Sequence, residues 1–228
     1  LSKILSLQGS IQVCARVRPM RISEVHAGHK NVVEALSETE LGCFDGRINK
    51  WKSFSFDKVW GPDQSQQAIF QDVEPLALSV VDGFNACIFA YGQTGSGKTF
   101  TMEGSEKDND YGISYRTIQK IFHLLNLRSQ QQRAASILNQ EEKAAEFNFK
   151  LELGMLEIYN DECYDLLSPI NTGKSPTNAE KHKVGSGMPR LDIRRNADGA
   201  VEVPELTKEP VNSINDVMIL LKKGNSHR

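Results

Sequence analysis

The chain has 228 residues, 39% of them hydrophobic and 25% charged, with a net charge of −2. Such a composition suits a globular protein with a sizeable core, filling one domain or most of a larger one, and the balanced charge gives no basic field for nucleic acid or acidic lipid. No apolar run is long enough to cross a membrane, and the five histidines show no metal-ligand spacing.

The first element expected is a strand: Ile11, Val13, Ala15 and Val17 alternate with Gln12, Cys14, Arg16 and Arg18 until Pro19 stops the run. A second strand is expected from Phe54 and Phe56 to Val59 and Trp60. Gly61-Pro62-Asp63 turns the chain, and Asp63 or Ser65 can cap a helix whose apolar positions are Ile69, Val73, Leu76 and Val80, with a bend at Pro75. The apolar run Ala86-Cys87-Ile88-Phe89-Ala90 then reads as a buried strand.

The stretch after that run carries chemistry. Gly92-Gln93-Thr94-Gly95-Ser96-Gly97-Lys98-Thr99 fits G-x-x-x-x-G-K-[ST], and Lys98 to Glu103 can start a helix. Strand, glycine loop and helix is the context this motif requires. Glycines at 92, 95 and 97 let the backbone close around an anion with its N–H groups inward. Lys98 brings a cation to the β- and γ-phosphates, the Thr99 hydroxyl can ligate Mg²⁺, and the helix would aim its positive end at the same charge. The loop reads phosphates and not the base.

Beyond a polar excursion at residues 105–110, a helix is expected through Ile118, Ile121, Phe122 and Leu125, with the exposed His123 on its surface. Residues 126–146, rich in Gln, Ala, Glu and Arg, read as a helical surface insertion. Phe149, Leu151, Leu153 and Met155 suggest one long strand through Ile158, after which Asn160-Asp161-Glu162 turns into a short helix ending near Leu167. Residues 170–189 read as a loop, and residues 174–195 hold six basic residues against two acidic ones. Strands should flank Asn196-Ala197-Asp198-Gly199. Ser213, with Asp216 at the third helical position, should cap a last helix that Gly224 ends. Cys14, Cys43, Cys87 and Cys163 form no C-x-x-C pair and are expected as buried reduced thiols, which suits a cytosolic protein. The strand–helix alternation gives an α/β fold.

Three motifs in order resemble the kinesin motor domain. Arg16-Val17-Arg18-Pro19 is similar to the family's R-x-R-P element, "FAYGQTGSGKTFTMEG" to its phosphate loop, and "LEIYNDECYDLL" to its E-I-Y-N-E-x-x-x-D-L-L stretch. The resemblance implies a P-loop NTPase with a central mixed sheet flanked by helices, residues 9–228 forming a partial motor domain and residues 1–8 the end of a neck helix or linker. It implies ATP and Mg²⁺ as cofactors. Arg16, Pro19 and Phe100 would flank the adenine, Gly92 to Thr99 would hold the phosphates, and Thr99 the metal. Read from the residues alone, Arg16 could instead form a surface salt bridge, the lesser alternative, and Phe100 could equally pack against the sheet. "LSKILSLQGSIQVCARVRP", "YGISYRT" and "VEVPELTKEPV" are similar to the C-terminal-motor class, which implies minus-end direction and a homodimer joined by an upstream coiled coil. Microtubules are the implied partner and the cytoplasmic cytoskeleton, spindle included, the implied location; nucleic acid and membrane insertion are not implied.

The family's S-S-R-S-H and D-L-A-G-S-E switches do not occur in this sequence. No catalytic residue is therefore assigned within the segment, which is expected to be truncated before the switch regions, to lack strong ATPase and to expose an apolar sheet edge. The basic segment at 174–195 could attract acidic tubulin or be a solvated loop. Two other readings remain. One is a different enzyme class: a P-loop GTPase would need an N-K-x-D motif, and Asn49-Lys50-Trp51-Lys52 lacks the aspartate and precedes the loop, while a nucleoside-type kinase would need an arginine-bearing lid. The other is a degenerate motor that binds nucleotide or microtubules without hydrolysis.

Overall fold

The computed structural model describes residues 11–139, 147–169 and 190–227. The predicted neck segment 1–8, the end of the insertion at 140–146 and the loop 170–189 lie outside the described residues. The chain forms two compact units, Leu1–Asn126 and Leu127–Arg228.

In the first unit β1 (Cys14–Arg16) leads to a short α1 (Ile22–His26) and a three-stranded antiparallel meander of β2 (Val33–Ala35), β3 (Glu40–Asp45) and β4 (Lys50–Ser55). Then come β5 (Lys58–Trp60), α2 (Gln66–Val81), α3 (Lys98–Met102), the ribbon β6 (Gly104–Ser105) and β7 (Asp110–Tyr111), and the start of α4 (Ile113–Asn139), which runs past the unit boundary at Asn126. The strand expected at 54–60 is thus two strands, and the helix after the phosphate loop is confirmed. β1 and β5 run parallel, with Arg16 opposite Trp60. The meander and α1 carry too few alternating apolar residues to be legible in advance.

α2 begins and ends on local chemistry. Ser65 is its cap, with Oγ accepting from Ala68 N at 3.2 Å, and the helical backbone continues through Pro75. At its end Gly83 takes φ +92°, and Phe84 N and Gly83 N donate to Ser79 O and Val80 O, a glycine-terminated C-cap. Ile69 and Val73 join Trp60 and Ile113 in the core, with Leu76 and Ile88 packed against it.

The segment before the phosphate loop differs from expectation. Residues 84–93 have no strand assignment, Phe89 is 82% exposed and Tyr91 91%. An apolar run becomes a buried strand only when neighbouring strands cover its edges and faces, and among the described residues nothing pairs with it. The same cause corrects the thiols: Cys14 and Cys87 are exposed, Cys43 is half-buried, and only Cys163 is buried, where burial pushes its thiol pKa up.

The second unit holds β8 (Glu152–Leu153), β9 (Leu156–Tyr159), β10 (Glu162–Asp165), β11 (Arg190–Leu191), β12 (Arg194–Arg195), β13 (Val201–Glu202), β14 (Glu209–Pro210) and α5 (Ile214–Ser226). The long strand expected through Ile158 is interrupted after Leu153, with β8 pairing β14 and β9 pairing β10. The short helix expected after Asn160 is instead β10, because Asn160 (φ 51°) and Asp161 (φ 65°) form a hairpin turn with both central residues left-handed. β12 and β13 flank residues 196–199 as expected. Asp165, fully buried, staples the end of β10: its Oδ1 accepts from Leu167 N and Ser168 N, and its Oδ2 from Thr207 N. α5 carries the predicted capping box of Ser213 and Asp216, but it continues past Gly224 to Ser226.

Candidate functional site

All the residues singled out for phosphate and base lie in the first unit. Arg16, Pro19, Ser96, Gly97, Lys98 and Phe100 line a cavity of ≈ 810 Å³, whereas Gly92 to Gly95 and Thr99 are not part of its lining. That volume is in the range of small-molecule sites.

The phosphate loop is built by its glycines. Gly92, Gly95 and Gly97 have φ of 153°, 79° and 102°. The last two lie in the left-handed region, where a Cβ is strained. A Cβ at Gly92 would come within 2.6 Å of Ser96 Oγ, so the loop closes on itself there. Ser96 N donates to Gln93 O at 3.1 Å, while Gln93, Thr94 and Gly95 are exposed along its outer rim. Lys98 Nζ donates to Gly92 O at 2.8 Å and Gln93 O at 3.0 Å, placing the ammonium inside the loop's curve. α3, which starts at Lys98, is only five residues long. Its dipole is correspondingly small, so the loop glycines and Lys98 define the anion site. Thr99 sits exposed in the first turn of α3.

Arg16, Pro19 and Phe100 line the same cavity as Ser96 to Lys98. The Arg16 guanidinium carbon lies 5.2 Å from the centroid of the Phe100 ring, within cation–π range. Its Nη1 donates to Gln66 Oε1 at 2.9 Å and Thr101 Oγ1 at 3.0 Å, and burial lowers its pKa from the ordinary value. Both acceptors are uncharged, so a surface salt bridge is not the arrangement found for Arg16. Phe100 is exposed, so core packing is not its arrangement either.

Residues that the sequence did not mark support this wall. Gln66 accepts from Arg16, as does Thr101, one turn from Gly97. Glu24 forks to Arg18 at 2.7 and 3.1 Å and accepts from Arg21 N at 2.7 Å. The Arg18 hydrogen bond, with the backbone one, holds the Glu24 carboxyl down at about 2. Arg18 also donates to Pro19 O at 3.0 Å, so Arg18 and Glu24 brace the turn that presents Pro19. The Arg21–Glu24 spacing alone does not single out α1, and the Gln66 and Thr101 contacts are long-range and leave no mark in the sequence.

Among the described residues no group of three or more His, Cys, Asp or Glu lies together as a metal cage. The one oxygen that the phosphate-loop motif itself offers to Mg²⁺ is the Thr99 hydroxyl, exposed next to Lys98. In the second unit the basic segment is described only from Arg190 onward. There Arg190 pairs with Glu162 at 2.7 Å and Arg194 with Asp192 at 2.9 Å.

Comparison with known proteins gives the family and the fold. A family model described as the kinesin motor domain matches residues 16–228. The chain is 38% identical over 229 residues to Kinesin-like protein KIN-14Q of Arabidopsis thaliana, covering 100% of this chain and 17% of that protein. It is 34% identical to Kinesin-like protein KIN-14R of Oryza sativa subsp. japonica (100% and 20%) and 35% identical to Kinesin-like protein KIN-14S of Arabidopsis thaliana (98% and 25%). Among solved structures, that of a fast kinesin superposes with a TM-score of 0.72 at 27% identity, covering 95% of this chain and 53% of that one. The chain therefore spans a quarter or less of these curated relatives and about half of the solved motor.

Proposed function

The chain belongs to the kinesin motor-domain family, and from that premise we propose that it is the nucleotide-holding part of an ATP-driven microtubule motor. The observation that carries the reading is that the end of the phosphate loop, Ser96 to Lys98, and the Arg16–Phe100 pair line one cavity, a phosphate cradle beside a base platform.

In this reading Gly92 to Gly97 turn backbone N–H groups toward the phosphates, and Lys98 exchanges its two loop carbonyls for phosphate oxygens. Thr99 offers its hydroxyl to Mg²⁺. Phe100, Arg16 and Pro19 take the two faces of the adenine and exclude water from it. Bound MgATP supplies the phosphoryl anhydride whose hydrolysis drives movement, with the metal offsetting charge on the phosphate oxygens. No residue here is assigned to positioning the attacking water. By the resemblance that work belongs to S-S-R-S-H and D-L-A-G-S-E elements, which this sequence does not contain. The partial motor domain is taken as residues 9–228, with residues 1–8 as the end of a neck that joins two motors through a coiled coil. The resemblance to the C-terminal-motor class supports minus-end direction and a place on cytoplasmic microtubules.

The test is a gliding assay with polarity-marked microtubules on a longer protein carrying this chain, beside its Lys98→Ala counterpart. Minus-end-directed movement lost in the variant is expected. Plus-end movement would overturn the direction, movement that survives Lys98→Ala would overturn the assignment of the loop as the ATP site, and no movement by the wild-type protein would overturn the motor reading itself.

A further inference from the structure

Gln66 is a polar residue with no place in the motifs, yet it is 1% exposed at the start of α2. A buried primary amide costs stability unless its donor and acceptor are both used. Here both are. Its Oε1 accepts from Arg16 Nη1 at 2.9 Å, and its Nε2 donates to Phe100 O at 2.6 Å. The orientation of the amide is fixed by its partners: the Phe100 carbonyl can only accept, so the NH₂ must face it, and the oxygen is left for the guanidinium, which can only donate. One side chain on α2 thus joins the end of β1 to the first turn of α3, tying together the two residues whose cation and ring face each other at 5.2 Å.

From this geometry we infer that Gln66 is a positioning residue of the base platform: it holds Arg16 over Phe100, and through them sets the affinity for a purine base without touching the phosphates. The inference rests on the nucleotide reading under Proposed function. Neutrality of the amide is part of the role. A carboxylate would keep the Arg16 contact as an ion pair but would set an acceptor against the Phe100 carbonyl and draw off the charge that faces the ring. Thr101 Oγ1, the other acceptor of Arg16, is likewise uncharged, so the guanidinium is oriented without being neutralised by either partner.

The probes are MgATP and inorganic tripolyphosphate with Mg²⁺, titrated calorimetrically into the full chain and into Gln66→Met, which keeps the length and removes both hydrogen bonds. ATP affinity should fall about tenfold, the scale of one stacked base contact, while tripolyphosphate affinity stays within about twofold. In an Arg16→Ala background Gln66→Met should cost no further ATP affinity, because the two act as one unit. Gln66→Glu, which keeps the Arg16 contact but sets a carboxylate against the Phe100 carbonyl and offsets the cation, should also lose ATP affinity, and ATP binding unchanged by it would overturn the requirement for a neutral amide. Equal losses for ATP and tripolyphosphate would show a general structural role and overturn the inference, as would unchanged ATP binding or fully additive losses with Arg16→Ala. Wild-type chain that binds tripolyphosphate and ATP equally would overturn the platform alone, whereas wild-type chain that binds neither would overturn the nucleotide reading along with it.

Discussion

Arg16 and Arg18 stand two residues apart, yet their guanidinium groups meet different partners. Arg16 meets an amide, a hydroxyl and a ring, and burial lowers its pKa; Arg18 forks onto Glu24, whose hydrogen bond raises it. Both arginines line the cavity, but the Arg16 cation meets uncharged partners, whereas that of Arg18 is paired with Glu24 and holds a turn. That difference has a pH signature. Glu24 titrates at about 2 in the fold against an ordinary 4.5, so its contribution to stability is complete above the higher value and drains away as pH falls toward the lower. Glu24→Gln should lower the melting temperature by a constant amount above about pH 5, with the gap to wild type closing as pH approaches 2. Melting curves across that range check it; a gap that does not change with pH would mean that the fork contributes nothing to folding. The salt-bridged pair lies at the surface, so the effect should also shrink in high salt.

Among the elements, α5 shows how a glycine can be misread. Gly224 near the end of an apolar stripe is a helix stop by sequence rules. In the fold it is buried inside the helix, and a Cβ there would lie 2.2 Å from Met155 Sδ. Its role is close approach, a long-range property with no local mark. Gly224→Ala should therefore destabilise the second unit by about 1–3 kcal/mol through overpacking, although alanine is the better helix former by ~1 kcal/mol. Urea unfolding measures this, and Met155→Ala in the same chain should recover part of the loss; a stabilising Gly224→Ala would contradict the packing account. At the other end of α5 the sequence is sufficient, since a capping box involves only Ser213 and Asp216, three residues apart. Ser213→Ala should cost ~1 kcal/mol, read from the same urea curves. Local chemistry likewise narrows the cap of α2 to Asp63 or Ser65, and the fold selects Ser65. The hairpin at Asn160-Asp161 escapes a sequence reading because those residues also suit a helix start, and only the partner strand β9 decides between the two.

Across the whole molecule, legibility tracks the distance over which a feature is specified. The α/β class, the phosphate loop and the family are readable because the motifs are contiguous: eight residues for the loop, four for R-x-R-P, twelve for "LEIYNDECYDLL". The central sheet is a different matter. The strands of the described residues fall into six small sheets, and Ala86 to Ala90, apolar enough for a buried strand, lies without one. Burial of a strand is conferred by its neighbours, and composition cannot show whether they are present. The base platform is half legible: Arg16, Pro19 and Phe100 come from the resemblance, while Gln66 and Thr101, which hold Arg16 in place, come only from the fold. The central claim is that the loop from Gly92 to Thr99 holds the phosphates of ATP, and calorimetric titration of the chain with MgATP, beside Lys98→Ala, tests it most directly. Saturable binding by the wild-type chain, weakened at least about tenfold on loss of the charge-assisted contacts of Lys98, is the predicted result. Equal binding by both proteins, or none by the wild-type chain, would contradict it.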